Sequence, residues 1–175
     1  MKFGQIASFF TLFAILCCST NSDTNVGEII QENSSETLQQ ENNIPRSSNV
    51  QAQVTNVAVR GEENNYTFNV TVSSPDTGCE QYADWWEVID IEGNLIYRRI
   101  LAHSHVNEQP FTRSGGRIAI SSNTEVYIRT HMNNSSYGAT VLKGNVSNGF
   151  NTANLPTDFA KELENQEPLP NGCAF

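Results

Sequence analysis

Basic residues are scarce in this sequence. Ten lysines and arginines stand against nineteen aspartates and glutamates among 175 residues, giving a formal charge of −9 at neutral pH. They form no cluster, which argues against a nucleic-acid partner and against electrostatic attachment to an anionic membrane surface. There is no Gly-x-Ser-x-Gly nucleophile turn and no glycine-rich phosphate loop, so the common signatures of serine hydrolases and nucleotide enzymes are missing. Histidine is limited to three residues and tryptophan to two. The one long uncharged apolar run, residues 6–16, is shorter than the roughly 20 residues a membrane-spanning helix needs. Internal repeats and a second domain are also absent.

What is present begins at the N-terminus. Lys2 precedes the apolar run, as in a secretory signal. The run ends not on an A-x-A cleavage site but on Ile15-Leu16-Cys17-Cys18. This resembles a bacterial lipoprotein signal, in which an apolar residue and a small one precede the acylated cysteine. Cys18 fits that place better than Cys17, having Ile15 three positions before it. The expected organisation is a signal peptide over residues 1–17, lipid attachment at Cys18, and a polar tether over 18–50. An ordinary cleaved signal with two incidental cysteines is the alternative. The tether is acidic and almost without apolar periodicity, so it should stay disordered. Its length would hold a folded domain roughly 30 Å from the lipid. The expected address is the bacterial cell envelope, on the outer membrane, periplasmic or surface face. The membrane would be a partner through the acyl chains.

With the signal removed, Cys79 and Cys173 are the remaining cysteines. In an oxidising compartment such a pair is expected to form a disulfide. Closing a loop of that length would contribute about 4 kcal/mol in the chain-entropy picture.

From Val50 the pattern acquires period two. In Tyr66-Thr-Phe-Asn-Val-Thr-Val-Ser73, Tyr66, Phe68, Val70 and Val72 fall on one face and polar residues on the other, the alternation of a half-buried strand. Similar runs at 53–61, 84–91, 95–102, 117–120, 125–131 and 138–144 give seven strands separated by turn signals. An all-β, seven-stranded antiparallel sandwich of immunoglobulin or fibronectin type III style follows, spanning 51–148. Residues 149–175 would be a tail pinned by Cys173, with a helical turn or two near Asp158–Glu164. Trp85 or Trp86 should be the central core residue, with the other at an edge or on the surface. Glu87 and Asp90 should face solvent.

The segment with most chemistry is Leu101-Ala-His-Ser-His-Val-Asn-Glu-Gln-Pro-Phe-Thr-Arg113. If strand character persists through it, His103 and His105 share one face. His131, at the end of another strand, could join them at the same pole. Three neutral imidazoles suit zinc or copper, with Glu108 as a fourth ligand or an orienting acceptor. The competing reading is structural. A long connection must satisfy its own backbone groups. Here the histidines, a Glu108–Arg113 ion pair and the Pro110–Phe111 plug would do so. A site for another ligand is the third reading.

Residues 76–141 also resemble a family of small exported bacterial proteins. The recurrent motifs correspond here to Tyr82-Ala-Asp-Trp-Trp-Glu-Val88, His103-Ser-His-Val-Asn-Glu-Gln-Pro-Phe-Thr-Arg-Ser114, Ile128-Arg-Thr-His131 and Ser136-Tyr-Gly138. Ser104 departs from the pattern, where proline is frequent, and Cys79 with the Cys173 tail looks like a local addition. The resemblance implies export and places all three histidines in shared segments, but it implies no activity. The leading expectation is a lipid-anchored envelope protein whose sandwich binds a protein or small ligand. Metal binding through His103, His105, His131 and Glu108 is the alternative, and a metal-dependent enzyme a weaker third.

Overall fold

A computed structural model describes residues 51–174. The expected signal peptide, Cys18 and the tether lie outside the described residues. No helix within them is long and apolar enough to cross a membrane. The chain forms β1 (Gln53–Arg60), β2 (Tyr66–Ser73), β3 (Ala83–Asp90), β4 (Leu95–Ile100), β5 (Phe111–Ile118), β6 (Val126–Met132), β7 (Ser136–Tyr137), β8 (Thr140–Asn145) and β9 (Gly149–Asn154). These make two antiparallel sheets. The smaller has the order β1-β2-β5, the larger β4-β3-β6-β8-β9, and β7 pairs with β6.

The two sheets share one core. β2 alternates as its sequence demands, with Tyr66, Phe68, Val70 and Val72 buried and the intervening residues half-exposed. Trp86 and Val88 from β3, Val126 and Ile128 from β6 and Leu142 from β8 belong to the same apolar cluster. Burying each large side chain contributes about 1.5–3 kcal/mol, so the period-two pattern fixes which face of each strand turns inward.

Three features differ from the sequence expectation. The connection after β4 was expected to run to Arg117, but β5 begins at Phe111 and pairs with β2 from Phe111↔Val72 onward. Gly115 and Gly116 in this strand conceal it, because glycine weakens strand propensity. Gly115 is there for space: a Cβ would lie 2.6 Å from the indole of Trp86 and 2.7 Å from the ring of Tyr97. Second, the start of the expected tail is a strand, β9, paired with β8.

The third difference concerns β3, seven of whose eight residues are buried. Trp86 lies in the shared core, but Trp85 is also buried, at 3 % exposure, and Glu87 is fully enclosed. The segment after β9 causes this by crossing the outer face of the large sheet. Glu87 is directly cross-strand from Arg98 on β4 and from Arg129 on β6. Its carboxylate accepts from Arg98 Nε and from Arg129 Nε, each at 2.8 Å. The outer ends of the two guanidinium groups point into the crossing segment. Arg98 donates to the carbonyls of Leu163, Gln166 and Pro168 at 2.7, 2.6 and 3.2 Å. Arg129 donates to those of Phe159 and Ala160 at 2.6 and 3.0 Å. The segment is a strap whose backbone completes the arginine hydrogen bonding. It ends at the disulfide between Cys79 and Cys173. Beyond that, the Ala174 N–H donates to the Ala102 carbonyl at 2.6 Å. Asp90, expected like Glu87 to face solvent, is half-buried and accepts from the N–H groups of Glu92 and Asn94 to close the β3–β4 turn.

Removing Glu87 would leave two buried guanidinium groups facing each other. We therefore expect Glu87→Ala to lose about 3–5 kcal/mol of stability in urea unfolding. Losing the disulfide should act mainly through the unfolded chain. A Cys79→Ser/Cys173→Ser variant is expected to lose about 4 kcal/mol by the same measurement while keeping its β-sheet circular dichroism.

Candidate functional site

The histidine segment is a loop between β4 and β5, so the strand geometry that would align His103 with His105 does not apply. Two side chains to which the sequence reading gave no role, Asp76 and Gln109, shape it. Asp76 is buried between the loops. Its carboxylate accepts from the N–H of Ala83 at 3.0 Å and from that of His105 at 2.7 Å. Gln109 accepts from the Ser74 N–H at 2.9 Å and donates to the Ser74 hydroxyl and the His105 carbonyl. A turn closes where the Glu108 N–H donates to the His105 carbonyl at 3.1 Å. The backbone N–H and carbonyl of His105, the buried residue at the middle of the loop, are thus met by these two side chains. Asp76 and Gln109 had no periodic signal to betray them, because most of their partners are main-chain atoms, which leave no mark on residue type.

His103 and His105 do come together. Their ring centroids are 4.4 Å apart. His103 is exposed, with Nδ1 3.0 Å from the Ser104 carbonyl oxygen. His105 is buried, stacked on Phe111 at 3.8 Å with an 11° interplanar angle. Its Nδ1 lies 3.9 Å from Asp76 Oδ2, beyond hydrogen-bond reach. Neither ring nitrogen has a hydrogen-bond partner, and neither does the buried hydroxyl of Ser104. Each such unmet group costs about 1–3 kcal/mol.

Glu108 is held by Arg113 and not by the histidines. It is exposed and forms an ion pair with Arg113 at 2.7 Å. That hydrogen bond and the guanidinium charge hold its carboxyl below the usual carboxylate range. The Glu108–Arg113 pair and the position of Phe111 beneath the histidine ring match the structural reading of this loop.

His131 has other neighbours. It stacks flat on Trp85 at 3.7 Å and 5°. Its Nδ1 is 2.7 Å from Asp84 Oδ1, and its Nε2 is 3.6 Å from Glu164 Oε1 in the strap. Glu164 also accepts from the Ser136 hydroxyl. The expected four-ligand set is therefore divided: His103 and His105 meet, Glu108 is held by Arg113, and His131 is held by Asp84 beneath the strap. Among the described residues no group of three or more His, Cys, Asp or Glu side chains is placed to hold a metal ion. These residues do not fit the zinc or copper centre that their spacing suggested.

A cavity of about 490 Å³ opens beside the loop. Residues 103–108, including Asn107 and Glu108, line it together with Gly78, the Cys79–Cys173 disulfide and Ala174. Val106 is 48 % exposed at this site, uncommon for a large apolar residue in this domain.

No family model matches this sequence. No solved structure matches it. It is similar to a protein of Halomicrobium mukohataei named "Putative lipoprotein". The two are 35 % identical over 86 residues, which is 49 % of this chain and 42 % of that protein. The chain thus spans less than half the length of the curated relative it matches.

Burial lowers the pKa of His105 from its ordinary 6.5 to about 4, helped by the charges of Arg113 and His103. The unfolded chain therefore binds this proton more readily. The contribution of the neutral ring to stability is present above about pH 6.5 and is lost as pH falls towards 4. NMR titration should find the His105 ring neutral down to about pH 4. A His105→Phe variant should show a smaller stability loss than wild type between pH 6.5 and 4, measured by urea unfolding at each pH.

Proposed function

We propose that this chain is a lipid-anchored cell-envelope protein whose two-sheet domain is a binding module. The observation that carries the anchor is the run 6–16 ending on Ile15-Leu16-Cys17-Cys18. The name of the Halomicrobium relative supports the same reading. The disulfide adds to it, because such bonds persist in oxidising compartments outside the cytoplasm. Acylation of Cys18 supplies attachment without basic residues, since two or more acyl chains at about 0.8 kcal/mol per methylene hold a protein durably on a bilayer. Residues 18–50 then act as the spacer between lipid and domain.

For the domain itself, the strand order β1-β2-β5 against β4-β3-β6-β8 favours an immunoglobulin or fibronectin type III style of sandwich, with β9 as an added edge strand. Domains of this architecture commonly present loops at the ends of the sheets as binding surfaces. The histidine loop, with its adjoining cavity and unmet polar groups, is the part of the described surface best suited to that role.

Expression of the full chain in a bacterium fed an alkyne-bearing palmitate analogue tests the anchor. The label should appear on wild type and on Cys17→Ser, and should vanish from Cys18→Ser, which should move to the aqueous phase of a detergent partition. Label retained on Cys18→Ser, or absent from wild type, rules the anchor out.

A further inference from the structure

We infer that the cavity beside the histidine loop binds a small uncharged amphiphile, with an apolar body and a hydrogen-bonding head of the alcohol or amide kind. This rests on the binding-module reading above and names the site and the ligand chemistry for it.

The first observation is the concentration of unmet polar atoms. Six buried side-chain nitrogen or oxygen atoms lack a partner among the described residues, and three of them are Ser104 Oγ and the two ring nitrogens of His105. All three belong to residues lining one cavity. Native proteins leave few such groups unpaired, and a cluster of them beside a cavity marks the place where a ligand or ordered water completes the bonding. Asp76 does not complete it, because its Oδ2 is taken by the His105 N–H.

The second observation concerns charge. A neutral imidazole offers one donor and one acceptor, and a serine hydroxyl offers both. The nearest guanidinium, on Arg113, is paired with Glu108. An anion therefore meets no free positive charge, in a chain that is itself strongly acidic. A cation meets no free carboxylate, since both oxygens of Asp76 accept backbone N–H groups and Glu108, which lines the cavity, is paired with Arg113. An uncharged head with a donor and an acceptor fits both atoms of the pair.

The rest of the wall combines the apolar disulfide, Val106 and Ala174 with Asn107 and the Arg113-paired Glu108. The volume, about 490 Å³, falls within the range of roughly 300–1,000 Å³ typical of small-molecule sites. The exposed His103 ring covers His105 and is tied by a single contact to the neighbouring Ser104 carbonyl. Rotating it uncovers the buried nitrogens to an incoming head group.

The test is ¹H–¹⁵N NMR of the full chain carrying Cys17→Ser and Cys18→Ser, kept free of detergent and titrated with benzyl alcohol, benzoate, benzylamine, Zn²⁺ and Cu²⁺. Benzyl alcohol should shift the resonances of His103, Ser104, His105 and Val106 and saturate. Benzoate and benzylamine should bind about tenfold more weakly. His105→Phe keeps a ring on Phe111 but removes the nitrogens, and should weaken benzyl alcohol by about tenfold at an unchanged fold. Shifts located elsewhere, equal affinity for the three organic probes, or undiminished binding to His105→Phe would overturn the proposal. Saturable Zn²⁺ or Cu²⁺ binding that His103→Ala/His105→Ala abolishes, without any response to benzyl alcohol, would overturn it in favour of a metal. A silent cavity would also overturn it, and would leave the Cys18 labelling result untouched.

Discussion

Glu87 between Arg98 and Arg129 is the interaction on which the outer half of this domain depends. A lone carboxylate in the middle of a sheet face is very costly to bury, and two guanidinium groups around it leave a net positive charge. The strap resolves this with backbone dipoles. Five carbonyls between Phe159 and Pro168 accept from the outward nitrogens of the two arginines. The guanidinium planes also lie against aromatic rings, Arg129 at 3.5 Å from the Tyr137 ring centroid and Arg98 at 4.5 Å from that of Trp85. Charge, hydrogen bonds and cation–π contact are thus satisfied together only when the strap is in place.

Much of the remaining anatomy follows from that closure. The strap brings Glu164 to His131, which with Asp84 and Trp85 leaves that ring enclosed on the sheet. It also delivers Cys173 to Cys79 and Ala174 to Ala102, and these contacts form one wall of the cavity facing the histidine loop. A charge cluster on β3, β4 and β6 therefore helps define a pocket at the far end of the loop, through a piece of chain that contributes a single buried apolar side chain, Leu163, along its short 3-10 turn.

That last fact explains how far the sequence could be read. β2 was legible because its apolar residues alternate against one core. The disulfide was legible because two cysteines remained once the signal was set aside. Glu87 was not, since a polar residue alternating with Val88 ordinarily marks the solvent face of an antiparallel strand. What covers it recognises it through main-chain carbonyls, and these leave no mark on residue type. β5 and β9 were obscured for a related reason. Ser114-Gly115-Gly116 and Gly149-Phe-Asn-Thr-Ala-Asn154 are chosen for close approach or edge pairing, not for strand propensity. Histidine spacing was legible as a pattern and misleading as geometry, since the His-x-His lies in a loop and its supposed third partner, His131 on β6, is held by Asp84 beneath the strap.

The two buried histidines show how environment divides the chemistry of one residue type. His131 is set between Asp84 and Glu164 with an indole beneath it, its Nδ1 engaged by Asp84 and its Nε2 facing Glu164 of the strap at 3.6 Å. His105 also rests on an aromatic ring, but its nearest carboxylate has turned to the backbone and its nearest cation is neutralised by Glu108. Burial without a partner favours the uncharged ring. With both nitrogens unbonded, the uncharged ring supports the loop through its face, stacked on Phe111. On the binding reading proposed above, the ring face does the structural work against Phe111 and the unbonded nitrogens are left for a ligand, so the two roles fall to different atoms of one residue.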